Sequence, residues 1–463
     1  MSETTTTESP GGAGSFKDAL SRPSKVSELR QKLGHKAKTE PRFRFYALYD
    51  RIYRPDVLQA AFKKVAANDG GPGVDGVRIE HVERSKGGVA AFLEDLHEAL
   101  KAKTYRPEAV RRSFIAKPDG RMRPLGIPTI RDRVAQAAAL LMLEPIFEAD
   151  FKDCSFGFRP KRSAHDALRV VEEALKVGHT IVLDADLESY FDTIPHEKLM
   201  KCVERRIADR SVLGLIRMWL AAPIEEPPDR PGGKPTRKRS SCGTPQGGVI
   251  SPLLANLYLH WFDQPFEAPN GPADFAKAKL VRYADDFVAL ATTDAGGRLM
   301  QWTQNWLENR MGLRLNAAKT HLRCIRPDRE SFSFLGFTFS WRRSRERRRW
   351  YVHVGPSQKA LKRARLRIRA ITAPKRGCLP ILDIIEELNR YLRGWAVYFR
   401  YGLAGRAFDS ISEYAQGRLR HHLMRKSQRP YRPPSGMTWY SHLHKDLGLL
   451  RLTVANSRST AMR

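Results

Sequence analysis

Apolar and polar positions along the chain switch between a helical period and a strand period, and the switches mark out its regions. Residues 1–40 hold few large apolar side chains and are rich in Thr, Ser, Gly, Pro and Lys, which predicts a disordered arm or one ordered by RNA. An amphipathic element follows over about Phe45–Ala67 and ends in AANDGGPGVDGV, where Gly70, Gly71, Gly73 and Gly76 punctuate a tight loop. SFIAKPDGRMRPLGIP (113–128) predicts a hairpin: a β-rich run, a Pro-Asp-Gly turn and a second run. DRVAQAAALLMLEPIFEA (132–149) is helical in period and composition. Ser163 with Asp166 three residues on forms a capping-box pattern that opens a helix through about Lys176.

Short apolar runs at HTIVLDAD (179–186) and at AKLVRYA and DDFVALA (278–291) read as buried strands, the last two meeting at a polar tip. Between them lies a Pro/Gly/Arg loop, EEPPDRPGGKPTRKRS (225–240), then SCGTPQGGVISPLLANLYLH (241–260) runs from a Gly-rich turn into a helix. From about Pro356 three helix faces follow. Leu361, Ala364, Ile368 and Ile371 form one, Ile381, Ile384, Ile385, Leu388, Leu392 and Trp395 a second, and Phe408, Ile411, Ala415 and Leu419 a third. Their opposite faces are crowded with Arg. The pattern predicts an α/β region over 41–340, a basic connector at 341–357, a separate helical domain at 358–452 and a tail at 453–463. Trp395 falls on the apolar stripe, a core position.

The 463 residues suffice for about three domains. Net charge is +31, and residues 341–463 alone carry 28 Lys and Arg against 7 Asp and Glu. Such an excess favours a polyanionic partner, nucleic acid foremost. No apolar run approaches the 18 or so residues of a bilayer span, and the N-terminus has no apolar core of a secretory signal. Cys154, Cys202, Cys242, Cys324 and Cys378 form no CxxC pair, so neither a disulfide scaffold nor a zinc site is expected, and a reducing, cytoplasmic compartment fits.

Chemistry concentrates in Asp285 and Asp286, with Asp186 about a hundred residues upstream. Adjacent acids flanked by apolar strands suffer desolvation and mutual repulsion unless a cation sits between them. Were the strands neighbours, three carboxylates would converge on a hard-oxygen site for Mg²⁺, where two ions support phosphoryl transfer. The same residues also fit an ordinary hairpin turn with Asp186 as a helix cap.

The order of the motifs resembles that of a group II intron-encoded reverse transcriptase with an attached maturase domain, from roughly Phe45 to Leu452. Its carriers are NDGGPGVDG (68–76), AKPDGRMRPLGIPTIRDR (116–133), FGFRPKRSAHDAL (156–168), DADLESYFDTIPH (184–196), GTPQGGVISPLLANLYL (243–259), RYADDF (282–287), LRLNAAKTHL (313–322) and FLGF (334–337). LNRYLRGWAVYF (388–399) is similar to the core of the maturase domain. The resemblance implies an α/β right-hand polymerase, fingers and palm, followed by an α-helical thumb/maturase domain.

It further implies that Asp186, Asp285 and Asp286 are catalytic and hold two Mg²⁺ ions, with Mn²⁺ as an alternative. Asp184 competes as the first ligand, although the family pattern starts at Asp186, and Asp192 reads as a structural cap. Tyr190 resembles the aromatic side chain beneath the nucleotide sugar that excludes a 2′-OH, with a core tyrosine as the alternative. Lys117 and Arg123 resemble the residues gripping the incoming triphosphate, a fit for a point charge and a bidentate fork. Gln246 sits in the loop beside the nascent base pair. Lys319 resembles a lysine proposed as general acid for pyrophosphate, with a plain phosphate contact as the alternative.

Six arginines between Trp341 and Trp350, Arg347 and Arg349 among them, suit backbone contact plus stacking, or else a hairpin with a solvated face. Arg363, Arg367, Arg390 and Arg393 are placed for RNA phosphates. The implied function is RNA-directed DNA synthesis together with binding of the group II intron RNA to assist splicing and retrohoming. The implied partners are intron RNA, an RNA template, a DNA primer or target and dNTPs. The implied location is the bacterial cytoplasm, with nucleoid association on DNA. With no Cys pairs or HNH-like cluster, second-strand cleavage is not expected. A splicing-only RNA-binding cofactor and a free-standing polymerase in defence or repair are the rival readings.

Overall fold

In a computed structural model, which describes residues 25–453 except 117–121, 229–232, 240, 293, 328, 345, 347 and 427–430, the apolar run at 179–186 becomes an inner strand of a four-stranded antiparallel sheet. That strand, β1 (Ile181–Asp186), lies between β3 (Asp286–Ala291) and β4 (His321–Cys324), and β2 (Lys279–Tyr283) pairs with the far side of β3. Strand side chains alternate between faces, so Val182, Asp184 and Asp186 share one face and Asp286, Val288 and Leu290 join them from β3. The apolar members are buried against α1 (Ala164–Lys176), leaving the acids at one end. The helix α1 starts as its sequence predicts. The Ser163 side chain accepts from the Asp166 amide, and the Asp166 side chain answers with the Ser163 amide.

The chain divides into two compact units, and this sheet belongs to the second, which comprises Ala116–Arg121, Lys152–Tyr190 and Leu259–Arg463. The same unit holds a second sheet of β5 (Phe332–Phe334), β6 (Phe337–Arg343) and β7 (Trp350–Pro356), with β6 in the middle. The expected basic connector at 341–357 is therefore corrected to part of this antiparallel hairpin, in which Arg342 pairs with Tyr351 and Arg343 with Trp350. Arg342, Arg343, Arg348 and Arg349 are exposed on it, while Trp341 packs against the core. Three helices follow, α3 (Gln358–Ile371), α4 (Ile381–Phe399) and α5 (Gly405–Met424), whose apolar faces match the three stripes in the sequence. Trp395 is buried among them, its ring against Phe399 and Phe408. They share one core with the face of the first sheet, a grouping that a boundary near 341–357 does not foresee.

The first unit contains Met1–Ile115, Met122–Phe151 and Phe191–Tyr258. Its centre is the helix Ile130–Glu148, buried on nearly every side. A four-stranded sheet orders Met122–Ile127, Val110–Ala116, Ile224–Glu226 and Thr236–Lys238. Contrary to the expected disordered arm, Lys25–Thr39 is a helix. Of its apolar residues Val26, Leu33 and Ala37 are buried and Leu29 half-buried, and Arg30 pairs with Glu144 and donates to the Leu141 carbonyl on the central helix. Tertiary packing, not local composition, forms this element. No helix among the described residues is long and apolar enough to cross a membrane, and all five cysteines are free.

Candidate active site

The site grows from the register of β1 on β3. Asp186 stands directly opposite Asp286, while Asp184 faces Val288 on one side and His321 on the other. The β2–β3 turn is only two residues long, Tyr283 pairing with Asp286, so Asp285 sits at its tip. Ala284 takes the left-handed conformation (φ 58°) that tight hairpin turns demand and that residues with a Cβ adopt at a cost of about 1–2 kcal/mol.

Three contacts hold that turn, none legible as chemistry in the sequence. Arg282, fully buried on β2, forms a bidentate ion pair with Asp263 of α2 (Ser251–Phe266) and donates from Nη1 to the Ala284 carbonyl at 3.0 Å. The Arg282 backbone is stitched on both sides, its N–H to the Cys154 carbonyl and its carbonyl to the Phe156 N–H, each at 2.8 Å. Gly157 lies so close that a Cβ there would fall 2.4 Å from the Ala284 nitrogen, which glycine alone permits.

The end of β1 is fastened by the LNAAK segment. Asn316 N–H donates to the Asp186 carbonyl at 2.8 Å, and Lys319 N–H donates back to the Asn316 carbonyl at 3.0 Å. Lys319 Nζ thereby reaches Asp186 Oδ2 at 2.7 Å. The electrostatics follow from crowding. Burial, then the charges of Asp184, Asp285 and Asp186, push the Asp286 carboxyl up to about 7, with Lys319 opposing. Burial pushes Asp184 up to about 6, partly offset by Arg323 and His321.

Negative charge therefore exceeds what the neighbouring side chains neutralise, and the donors are all carboxylate oxygens, a set that suits a hard divalent cation. These oxygens are spread more widely than a closed cage. Among the described residues, the one trio of His, Cys, Asp or Glu with ligand atoms within 4.8 Å of one another is Glu94, His97 and Glu98, on the surface of the helix Gly88–Lys101.

The other expected site residues divide by position. Tyr190 is 2% exposed, following Ser189 in the left-handed region. Gln246 and Arg123 both lie in the first unit, where the Gln246 carbonyl accepts from Gly126 N–H at 2.7 Å, on the strand that exposes Arg123. Gly247, at φ 121°, makes that approach feasible, since a Cβ would lie 2.5 Å from the Gly126 carbonyl. Thr244 N–H donates to the Phe191 carbonyl at 2.7 Å, which fixes the start of the same loop. Lys117 and Arg347 lie outside the described residues.

A groove of about 1020 Å³ opens at Asp286 and runs between the β5–β6 turn, α3 and α4. Lys359, Arg363 and Arg390 line it, with Tyr391 and Tyr398 as aromatic surfaces. Arg390 pairs with Glu386 and Arg367 with Glu387, exposed contacts of the kind worth little in water. Arg349 and Arg393 are exposed.

Comparisons with known proteins match both halves of this arrangement. The family described as "Reverse transcriptase (RNA-dependent DNA polymerase)" matches residues 115–339, and "Group II intron, maturase-specific domain" matches residues 361–439. Protein YkfC of Escherichia coli is 35% identical over 369 residues, 72% of this chain and 93% of that protein. The group II intron-encoded protein LtrA of Lactococcus lactis is 36% identical over 221 residues, covering 48% of this chain and 35% of LtrA. An uncharacterized 91 kDa protein in the cob intron of Schizosaccharomyces pombe is 32% identical over 236 residues, 49% of this chain and 26% of that protein.

Proposed function

Because the chain belongs to the reverse transcriptases that carry a group II intron maturase domain, we propose that it is an RNA-directed DNA polymerase that also binds its intron RNA to assist splicing and retrohoming. The single observation that carries the polymerase reading is the opposition of Asp186 and Asp286 across one ladder, with Asp285 at the adjoining turn. In this reading Asp186, Asp285 and Asp286 would hold two Mg²⁺ ions, or Mn²⁺ in their place, which would supply activation of the primer 3′-hydroxyl and neutralisation of charge on the transferred phosphoryl group.

The chain's own residues supply the rest. Arg123 and Lys117 grip the dNTP triphosphate, and Gln246 touches the nascent base pair from a loop whose backbone is already fixed to the Arg123 strand. Tyr190 packs beneath the nucleotide sugar. Lys319, held at Asp186, either gives a proton to the departing pyrophosphate or neutralises it. The groove lined by Lys359, Arg363 and Arg390 suits a polyanionic strand whose end reaches Asp286. The exposed Arg349, Arg367 and Arg393 extend the positive surface available to intron RNA.

Incorporation of dTTP on poly(rA)/oligo(dT) in the presence of Mg²⁺ tests the first half, with Asp285→Ala/Asp286→Ala as the comparison. The double substitution abolishes synthesis while the purified chain still promotes splicing of its intron RNA, for which RNA binding suffices. Synthesis that survives it overturns the site assignment.

A further inference from the structure

We propose that the cleft between the C-terminal ends of α3 and α5 is a phosphate-binding pocket that takes a backbone phosphate of the intron RNA; the RNA as ligand rests on the function proposed above, whereas the pocket does not. The cleft has a volume of about 40 Å³ and is lined by Thr372, Arg418, His421, His422, Arg425 and Lys426, with no carboxylate among its lining residues. That volume holds roughly three waters, enough for the oxygens of one phosphate group.

Five side chains that carry or can carry positive charge surround one small space. Cations at the end of α5 complement its dipole, which accounts for basic side chains in and just past its last turn, His421, His422 and Arg425 among them. It does not account for the burial of His422 without a partner for one ring nitrogen. That ring is 5% exposed, and its Nε2 has no hydrogen-bond partner among the described residues. An orphaned buried nitrogen of this kind costs about 1–3 kcal/mol, so its retention points to a partner. Burial, then Lys426, Arg376 and Arg418, hold His422 below the usual histidine range against a hydrogen bond to the Thr372 backbone, as expected of a ring facing uncompensated positive charge.

Some of the cations are already engaged. Lys426 Nζ donates to the Leu379 carbonyl at 2.7 Å, Arg376 pairs with Glu387, and Arg418 makes long contacts of 3.3 and 3.4 Å to Thr372. The Arg425 and His421 side chains make no hydrogen bond or ion pair among the described residues, and are free to meet an anion alongside His422. A phosphodiester oxygen fits this set: it accepts several N–H donors at once, its charge is fixed, and it favours the protonated His422 ring, the state in which Nε2 can donate to it.

The test uses the full chain, with His422→Gln and Arg425→Gln as variants and thermal melting as the check on folding. Inorganic phosphate is titrated while the ring ¹⁵N resonances of the histidines are followed. A saturable shift of His422, lost in Arg425→Gln, is expected. Binding of the intron RNA is then measured at several salt concentrations. Arg425→Gln should weaken it about tenfold and lower the slope of log K against log salt by about 0.7–0.9, one phosphate contact.

A His422 resonance indifferent to phosphate overturns the pocket. A resonance that responds to phosphate, together with an RNA affinity and salt slope unchanged in Arg425→Gln, overturns the assignment to RNA. Should the wild-type chain bind no intron RNA at all, the functional reading fails, and the phosphate titration still decides the pocket.

Discussion

Arg282 and Asp263 meet at full burial, Nε 2.9 Å from one carboxylate oxygen and Nη2 2.5 Å from the other, while the third guanidinium nitrogen holds the carbonyl of Ala284. The pair ties α2 to the turn that carries Asp285. A buried pair of this kind is poor evidence for net stability, because desolvation of two charges offsets most of their attraction. What it supplies here is a rigid donor aimed at a strained peptide.

That distinction can be measured. Asp263→Asn strands a buried guanidinium and should cost about 3–5 kcal/mol in urea unfolding. Arg282→Met/Asp263→Leu removes both charges and should recover most of that loss. Primer extension by the double variant nevertheless remains at least about tenfold low, the equivalent of 1.4 kcal/mol in the barrier, because the Ala284 carbonyl has lost its donor. Activity that returns together with stability would assign the pair a packing role alone.

The raised carboxyls make a prediction about pH. Asp286 and Asp184 titrate near 7 and 6 in the folded chain against about 3.8 for an ordinary Asp, so the folded state binds the extra protons. Their contribution to stability is complete below pH 4 and is lost as pH rises through 6 and 7. In EDTA the melting temperature should fall by several degrees between pH 5 and pH 8. Added Mg²⁺ competes with those protons, so its stabilising increment should grow over the same interval. Asp184→Asn/Asp286→Asn should flatten both trends. A melting temperature that instead rises from pH 5 to 8 in the metal-free wild type contradicts the crowding described at this site.

Lys319 offers a sharper test of role. Its Nζ neutralises Asp186 directly, so Lys319→Met should lower the Mg²⁺ concentration needed for half-maximal rate by removing a competing cation. If Nζ also delivers a proton, kcat falls by about 10²-fold, the low end of general-acid effects, with the KM for dNTP little changed. An unchanged kcat with a raised KM assigns the residue to phosphate binding instead.

Where local rules decide an element, they are readable along the chain. The Ser163–Asp166 capping box, the strands that carry Asp186 and Asp286, and the apolar stripes of α3, α4 and α5 all follow from short-range pattern. The helix Lys25–Thr39 does not, because it is ordered by tertiary packing, with Val26, Leu33 and Ala37 buried and Arg30 reaching Glu144 more than a hundred residues away. The hairpin of β6 and β7 is legible only as one of two readings of its arginine run, because exposed arginines fit a solvated strand face and an RNA-binding connector alike. The turn that carries Asp285 is a mixed case. Its acids are visible as a motif, yet its supports, Arg282 with Asp263 and the close approach of Gly157, exist only once sheet, helix and loop are assembled.

Gly157 and Ala284 separate backbone crowding from side-chain crowding. A methyl group on residue 157 would meet the Ala284 nitrogen at 2.4 Å and the Tyr283 carbonyl carbon at 2.9 Å, both backbone atoms. Gly157→Ala should therefore destabilise by about 1–3 kcal/mol and shift the turn, lowering polymerase activity more than tenfold. Ala284→Gly relieves a left-handed residue, while the freer unfolded chain offsets part of the gain, so its stability should stay within about 1 kcal/mol of wild type. Since the obstruction lies in the peptide and not in the Ala284 methyl, adding Ala284→Gly to Gly157→Ala should fail to rescue synthesis. Rescue by the double variant, read as primer extension at equal folded concentration, would place the conflict in the side chain and break the account of how the turn is held.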